Sequence, residues 1–216
     1  MKILHVIVGL NDGGAEAVLY NLIKFKSSKF QHTVISLTDD GKYGPLLKKE
    51  GINVYCLNLK QRYPYLGFFS LFKIIRLIKK IKPDVVQTWM YHADFAGGIF
   101  ARLAGIKNII WSVHHTTLSK SESKILTILI AKLNSFLSKF IPRKIIYCAQ
   151  KSREAQESIG FLAKKGVVVR NGYDVSLFTP NNQSGHIFKN DLNISDLFLI
   201  GNVGRFNPQK NHKNLL

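Results

Sequence analysis

The chain has 216 residues, 46% hydrophobic and 20% charged, which fits one large domain or one and a half small ones with a core that needs no staples. Thirty-one Lys and Arg against thirteen Asp and Glu give +18, a surface that attracts polyanions: nucleic acid, anionic lipid headgroups or phosphorylated substrates. Two distant cysteines, Cys56 and Cys148, make neither a metal spacing nor a disulfide framework, and Lys or Arg breaks every apolar run before the ~20 residues of a spanning helix.

The first run, 2–8, has a histidine inside it and no small-residue cleavage site after it, so it reads as a buried strand rather than a signal peptide. A cytoplasmic protein is expected. A helix is predicted over 13–26, a strand over 32–37, a short helix over 44–51 and a strand over 53–59. A long basic helix over 66–82 stops before Pro83. Then follow a strand over 84–89, a helix over 92–105 and a strand over 108–114. The remainder reads as a helix over 121–140, a strand over 144–149, a helix over 151–160 and a strand over 166–172. Continuous Val/Ile runs alternating with helices indicate parallel strands covered on both faces, an α/β doubly wound, Rossmann-like sheet. Ligands of such sheets bind beyond the carboxyl ends of the strands. Residues 1–172 form the expected first domain; 173–195, rich in Asn, Ser, Asp and Pro, reads as a linker; and a strand over 197–204 opens a second, unfinished domain at 196–216.

Four stretches could carry chemistry. In "VGLNDGGAEAVL" (8–19) glycines follow a strand and open a helix. Gly13 and Gly14 would admit a ligand close to the backbone, and the helix start offers free N–H groups to an anion. A tight strand–helix turn explains the same glycines without a ligand. In "WSVHHTT" (111–117) two histidines end a strand, and pleating lets only one of His114 and His115 face the cleft. Such a histidine could donate to a substrate hydroxyl or phosphate, or be structural; no Cys, Asp or Glu stands nearby, so no metal is expected. The helix over 66–82 sets Phe68, Phe69, Phe72, Ile75 and Ile78 against Lys73, Arg76, Lys79, Lys80 and Lys82. It suits an anionic membrane surface, or a crossover helix with a solvated basic face; the helix over 121–140 permits the same two readings. Finally, Arg205 and Lys210 follow a strand and a glycine turn, a pair that would suit a diphosphate.

Together these motifs resemble the GT-B family of retaining glycosyltransferases, family 4 type, common in bacterial cell-surface polysaccharide synthesis. "GGAE" resembles its amino-terminal signature, "VRNGYDVSLFTP" (169–180) its strand–linker signature, with Asn171, Gly172, Asp174, Phe178 and Pro180, and "GNVGRFNPQKNHKNLL" the first strand and loop of its donor domain. The resemblance implies an acceptor-side domain and a donor-binding domain facing across a cleft. It implies Gly13 and Gly14 near the donor phosphates and His114 near the transferred sugar. Asn171 and Asp174 belong with the donor-binding set, and Arg205 and Lys210 with the diphosphate. No cofactor or metal is implied; the co-substrate is a UDP- or GDP-linked sugar, the acceptor a glycan or lipid-linked sugar. The family's E-x7-E donor motif falls beyond residue 216. Little transferase activity is therefore expected of residues 1–216 alone, and a poorly packed tail from about 190. A basic nucleic-acid-binding α/β protein is the alternative; no nucleic-acid module supports it, and nucleic acid is not an expected partner. A GT-B epimerase would keep the fold and lose the transfer.

Overall fold

Seven parallel strands make one sheet in the order β3-β2-β1-β4-β5-β6-β7. They are β1 (Lys2–Ile7), β2 (Gln31–Ser36), β3 (Asn53–Cys56), β4 (Val85–Trp89), β5 (Ile109–Val113), β6 (Lys144–Tyr147) and β7 (Gly166–Val168). Between them run α1 (Gly14–Lys24), α2 (Tyr43–Lys49), α3 (Pro64–Ile81), α4 (Tyr91–Leu103), α5 (Ile125–Leu137) and α6 (Gln150–Ser158). This computed structural model describes residues 1–25, 27–59, 64–114, 125–177, 179–195, 197–204, 206 and 212–214. Each predicted strand up to residue 172 is present: β2 keeps its length but starts one residue earlier, and the others are shorter by one to four residues.

The period of two sorts each strand between two cores. Leu4, Val6, Val86, Trp111 and Ile145 pack with Ile74 and Ile78 of α3, Phe100 and Ala101 of α4, and Ala131 of α5. Ile7, Val34 and Trp89 face the other way, onto Leu19 and Ile23 of α1 and Leu47 of α2. Gly97 and Gly98 bring α4 tight against the sheet: a Cβ on the first would lie 2.9 Å from Val6 Cγ1, and on the second 2.8 Å from Trp111 Nε1. The sheet grows leftward through β2 and β3, then restarts on the other side of β1 with β4. That reversal leaves a crevice at the carboxyl ends of β1 and β4, where open α/β sheets bind ligands.

Met1–Gly172 and Tyr173–Leu216 are separate compact units. In the second, a helix α7 (Asn182–Asp191) occupies part of the expected linker. Asn181 supplies the reason: its side-chain oxygen accepts from the Ser184 N–H at 2.9 Å, an N-cap bond that closes the first turn. The strand expected over 197–204 does not form. Leu197, Phe198, Leu199, Ile200 and Val203 are exposed there, with no ladder partner among the described residues. An apolar run becomes a strand only where a neighbour can pair its backbone groups.

Candidate functional site

Two loops are strapped together on the β1 side of the crevice. Thr38 donates to Val8 O twice, from its N–H and its hydroxyl, each at 2.9 Å. The Tyr43 N–H donates to Leu10 O at 2.8 Å, Asn11 Nδ2 to Asp39 Oδ1 at 3.1 Å, and Lys42 Nζ pairs with Asp12 at 3.0 Å. Gly41 makes the approach feasible. Its φ is +42°, and a Cβ would lie 2.6 Å from the Leu10 carbonyl.

The first helix opens on Gly13 without a side-chain cap bond, so its leading N–H groups have no hydroxyl or amide cap. Gly14 is exposed, and a Cβ there would meet nothing within 4 Å. Gly13 is restricted instead by the Glu16 carboxylate, which folds back over it. Burial raises the Glu16 carboxyl above the usual carboxylate range; a hydrogen bond from its own backbone N–H opposes this, and the Asp12 charge adds to it. The helix start therefore presents donors and a positive dipole end, with one half-buried carboxyl folded across them.

Across the crevice, β4 ends on Trp89 and Met90. Met90 has φ 72° and ψ 157°, a region that is essentially glycine's, and it caps α4. Trp89 lies opposite Ser112 in the β4–β5 register, so His114, two residues on, shares its face. The two rings stack, centroids 5.3 Å apart and 17° from parallel. Behind Trp89 its indole Nε1–H donates to His5 Nδ1 at 3.3 Å, and His5 Nε2 lies 2.9 Å from His32 Nδ1. Burial, with His32 beside it, pushes the His5 pKa down to about 3. The imidazole therefore stays neutral at ordinary pH.

The β4 end also starts a buried polar group on the opposite face. Thr88 donates to Asp94 Oδ1 at 2.5 Å, and Asn134 Nδ2 to Tyr91 O at 2.8 Å. Asp94 is fully buried, and that burial raises its pKa far above the carboxylate range despite the Thr88 hydroxyl and a Ser112 backbone donor. That burial favours the protonated, uncharged form of the carboxyl.

A known family coincides with this architecture. The Glycosyltransferase Family 4 profile matches residues 12–177, from the glycine turn after β1 to the end of the first unit and just beyond. The chain belongs to glycosyltransferase family 4. It is 28% identical, along its full length, to the capsular polysaccharide biosynthesis glycosyltransferase CapH of Staphylococcus aureus, and it covers 56% of that protein. Over 66% of the chain it is 29% identical to the UDP-Gal:alpha-D-GlcNAc-diphosphoundecaprenol alpha-1,3-galactosyltransferase of Escherichia coli, covering 37% of that enzyme. Among solved structures, Anabaena HepE in complex with UDP superposes with a TM-score of 0.77 at 21% identity, over 96% of this chain and 54% of HepE. The chain thus spans about half the length, or less, of the relatives it matches.

Within the family 4 fold, Gly13, Gly14 and His114 all lie at carboxyl ends of strands. Gly13 and Gly14 follow β1, and His114 follows β5, on either side of β4. Strand spacing puts those two strands about 10 Å apart. Asn171 follows β7 at the end of the first unit, half-buried. Asp174 belongs to the second unit, where its Oδ1 accepts from the Ser176 N–H at 3.1 Å and the Ser176 hydroxyl at 2.6 Å, capping a short 3-10 turn. Arg205, Lys210, His115 and Phe178 lie outside the described residues. No three His, Cys, Asp or Glu side chains converge on a metal position among the described residues.

Sequence reading passed over Glu16, Gly41, Trp89 and His5. His5 left a signal, a polar residue inside an apolar strand, and Glu16 stands three residues after Gly13 within "GGAE"; Gly41 and Trp89 are set by contacts distant in sequence. Over its described part the long basic helix packs as a crossover: Ile74 and Ile78 are buried on the sheet, Lys73, Arg76, Lys79 and Lys80 are solvated, and Phe72 is exposed. Its Phe68 and Phe69 side chains lie outside the described set. An exposed apolar stripe lies on α5 and the turn after it, where Leu126, Leu129, Leu133, Phe136 and Phe140 are 43–64% exposed beside Lys132 and Lys139. Among the described residues no helix is long and apolar enough to cross a membrane.

Proposed function

We propose that the protein is a retaining glycosyltransferase. It moves a sugar from a UDP- or GDP-linked donor to a glycan or lipid-linked acceptor in bacterial cell-surface polysaccharide synthesis. The family 4 match over 12–177 carries this reading, because it falls on a sheet whose switch point gathers an uncapped helix start and a histidine. The first unit is the acceptor side. The α1 start at Gly13 and Gly14 stabilises charge on the donor phosphates, and His114 donates to a hydroxyl of the transferred sugar. Asn171 and Asp174 complete the donor-binding set, and Arg205 and Lys210 neutralise the diphosphate as it leaves. The bond from the anomeric carbon to the diphosphate oxygen breaks as the acceptor oxygen bonds on the same face. The hydroxyl proton passes to the departing diphosphate, the nearest base on that face.

The exposed α5 stripe with Lys132 and Lys139 fits docking on the anionic inner leaflet, apolar residues entering the interface and lysines meeting headgroups. Gene disruption in the source organism tests the function. Surface polysaccharide is expected to be shortened or lost, restored by the wild-type gene and not by His114→Ala; unchanged polysaccharide would overturn the reading. Membrane fractions should also move label from UDP- or GDP-sugars into a lipid extract only when the gene is intact.

A further inference from the structure

We infer that Trp89 is a positioning residue for His114, and that the buried pair His5–His32 holds the Trp89 indole in place. This rests on the reading of His114 as a residue that touches the sugar.

The hydrogen bonds run in one direction. An indole N–H only donates, so the Trp89 bond makes His5 Nδ1 an acceptor. A neutral His5 then carries its proton on Nε2 and donates it to His32 Nδ1. The two imidazole planes are 9° apart with centroids 5.2 Å apart, an arrangement compatible with an in-plane N–H···N bond. Because His5 stays neutral down to about pH 3, the acceptor persists across every working pH. The chain is therefore not a proton relay to His114: an indole cannot accept a proton from the ring stacked on it. What it can do is fix a plane. Trp89 is buried at the last position of β4, and a buried indole N–H needs a partner. With His5 as that partner, the indole has one orientation, and the 17° stack gives the His114 ring the same one.

The cost of this arrangement points the same way. His5 is fully buried against His32 and Trp89, where a leucine or phenylalanine would be buried without desolvating two ring nitrogens. A buried chain whose links are hydrogen bonds specifies a geometry where an apolar core tolerates several. Here that geometry ends on the ring at the mouth of the crevice. Reacting groups held a fraction of an ångström from their productive place lose much of the rate.

The test uses 13C-histidine and 15N-tryptophan labelling of the chain, with labelled-sugar transfer by membranes carrying each variant in the native gene. In the wild type, the His114 ring protons should be displaced by the Trp89 ring current, and one indole N–H should be downfield and slow to exchange. Trp89→Leu should abolish the His114 displacement and lower kcat at least about tenfold, with the donor KM changed less than about twofold. Trp89→Phe keeps a ring for the stack and loses the N–H, and guards against a leucine variant that does not fold; it should blur the displacement and lower kcat by less. His5→Phe should leave Trp89 in place but broaden the His114 signal and reduce kcat. His5→Asn, whose amide oxygen falls near the position of Nδ1, should restore most of both. His114 resonances unmoved in folded Trp89→Leu or Trp89→Phe would overturn the inference. So would a kcat unchanged once the ring-current displacement is gone. If the wild type transfers no sugar, the functional reading falls, and the resonance arm still decides whether Trp89 and His5 order His114.

Discussion

In the run 109–113 of the first unit, Ile109, Trp111 and Val113 are all 0% exposed. In the run 197–203 of the second unit, Phe198 is 90% exposed and Val203 104%. Both runs carry the composition of a strand. The first finds β4 on one side and β6 on the other, and helices over its face. The second finds no ladder among the described residues. Hydrophobic composition sets what a segment could become; pairing and coverage decide whether it does. The contrast extends to polar groups. Asp94 in the first unit is buried, which raises its pKa, whereas Asp174 in the second caps a turn near the surface.

The largest expected difference is in side-chain truncation. Trp111→Ala should destabilise the first unit by about 3–5 kcal/mol, while Phe198→Ala should fall within about 0.5 kcal/mol of wild type. Urea midpoints for the two variants check this; equal losses would mean that 197–203 is packed after all. Next comes a pH effect confined to the first unit. Burial raises the folded Asp94 pKa, so its contribution is fully present below the unfolded value near 3.8 and is lost as pH rises toward the folded value. Asp94→Asn cannot ionise and should accept the Thr88 bond. Its stability relative to wild type should therefore climb from pH 4 to pH 8, measured by urea unfolding at both; a flat difference would show that Asp94 is not held neutral. The smallest effect is local to the second unit. Asn181→Ala removes the α7 cap and should cost that helix about 1 kcal/mol. It should be visible as faster amide exchange at Ser184 and Gly185, with exchange in β1 and β4 unchanged.

Much of the fold could be read directly. Val/Ile runs at 3–7, 32–35, 85–86, 109–113 and 145–146 mark parallel strands because a strand buried on both faces has no room for alternation. Amphipathic stretches between them mark crossover helices, and the rule of right-handed crossovers orders the sheet. The glycine turn and the His114–His115 pair could be placed for the same reason: they sit where strands end, and strand ends are visible in sequence; which histidine faces the crevice could not be read. Helix α7 was missed because Asn181, read as a loop former, acts as a helix cap. Trp89 and His5 were missed because 84 residues separate them.

Sequence alone determined the order of elements, the parallel sheet, the +18 charge and the motifs that resemble family 4, since each depends on residues close together in the chain. Tertiary structure decided which histidine chain lies behind the crevice, that Gly41 lies against the Leu10 carbonyl, that α5 exposes an apolar stripe, and that 197–204 has no ladder partner among the described residues. Those outcomes depend on which surfaces meet once the sheet has assembled, and no local period encodes that meeting.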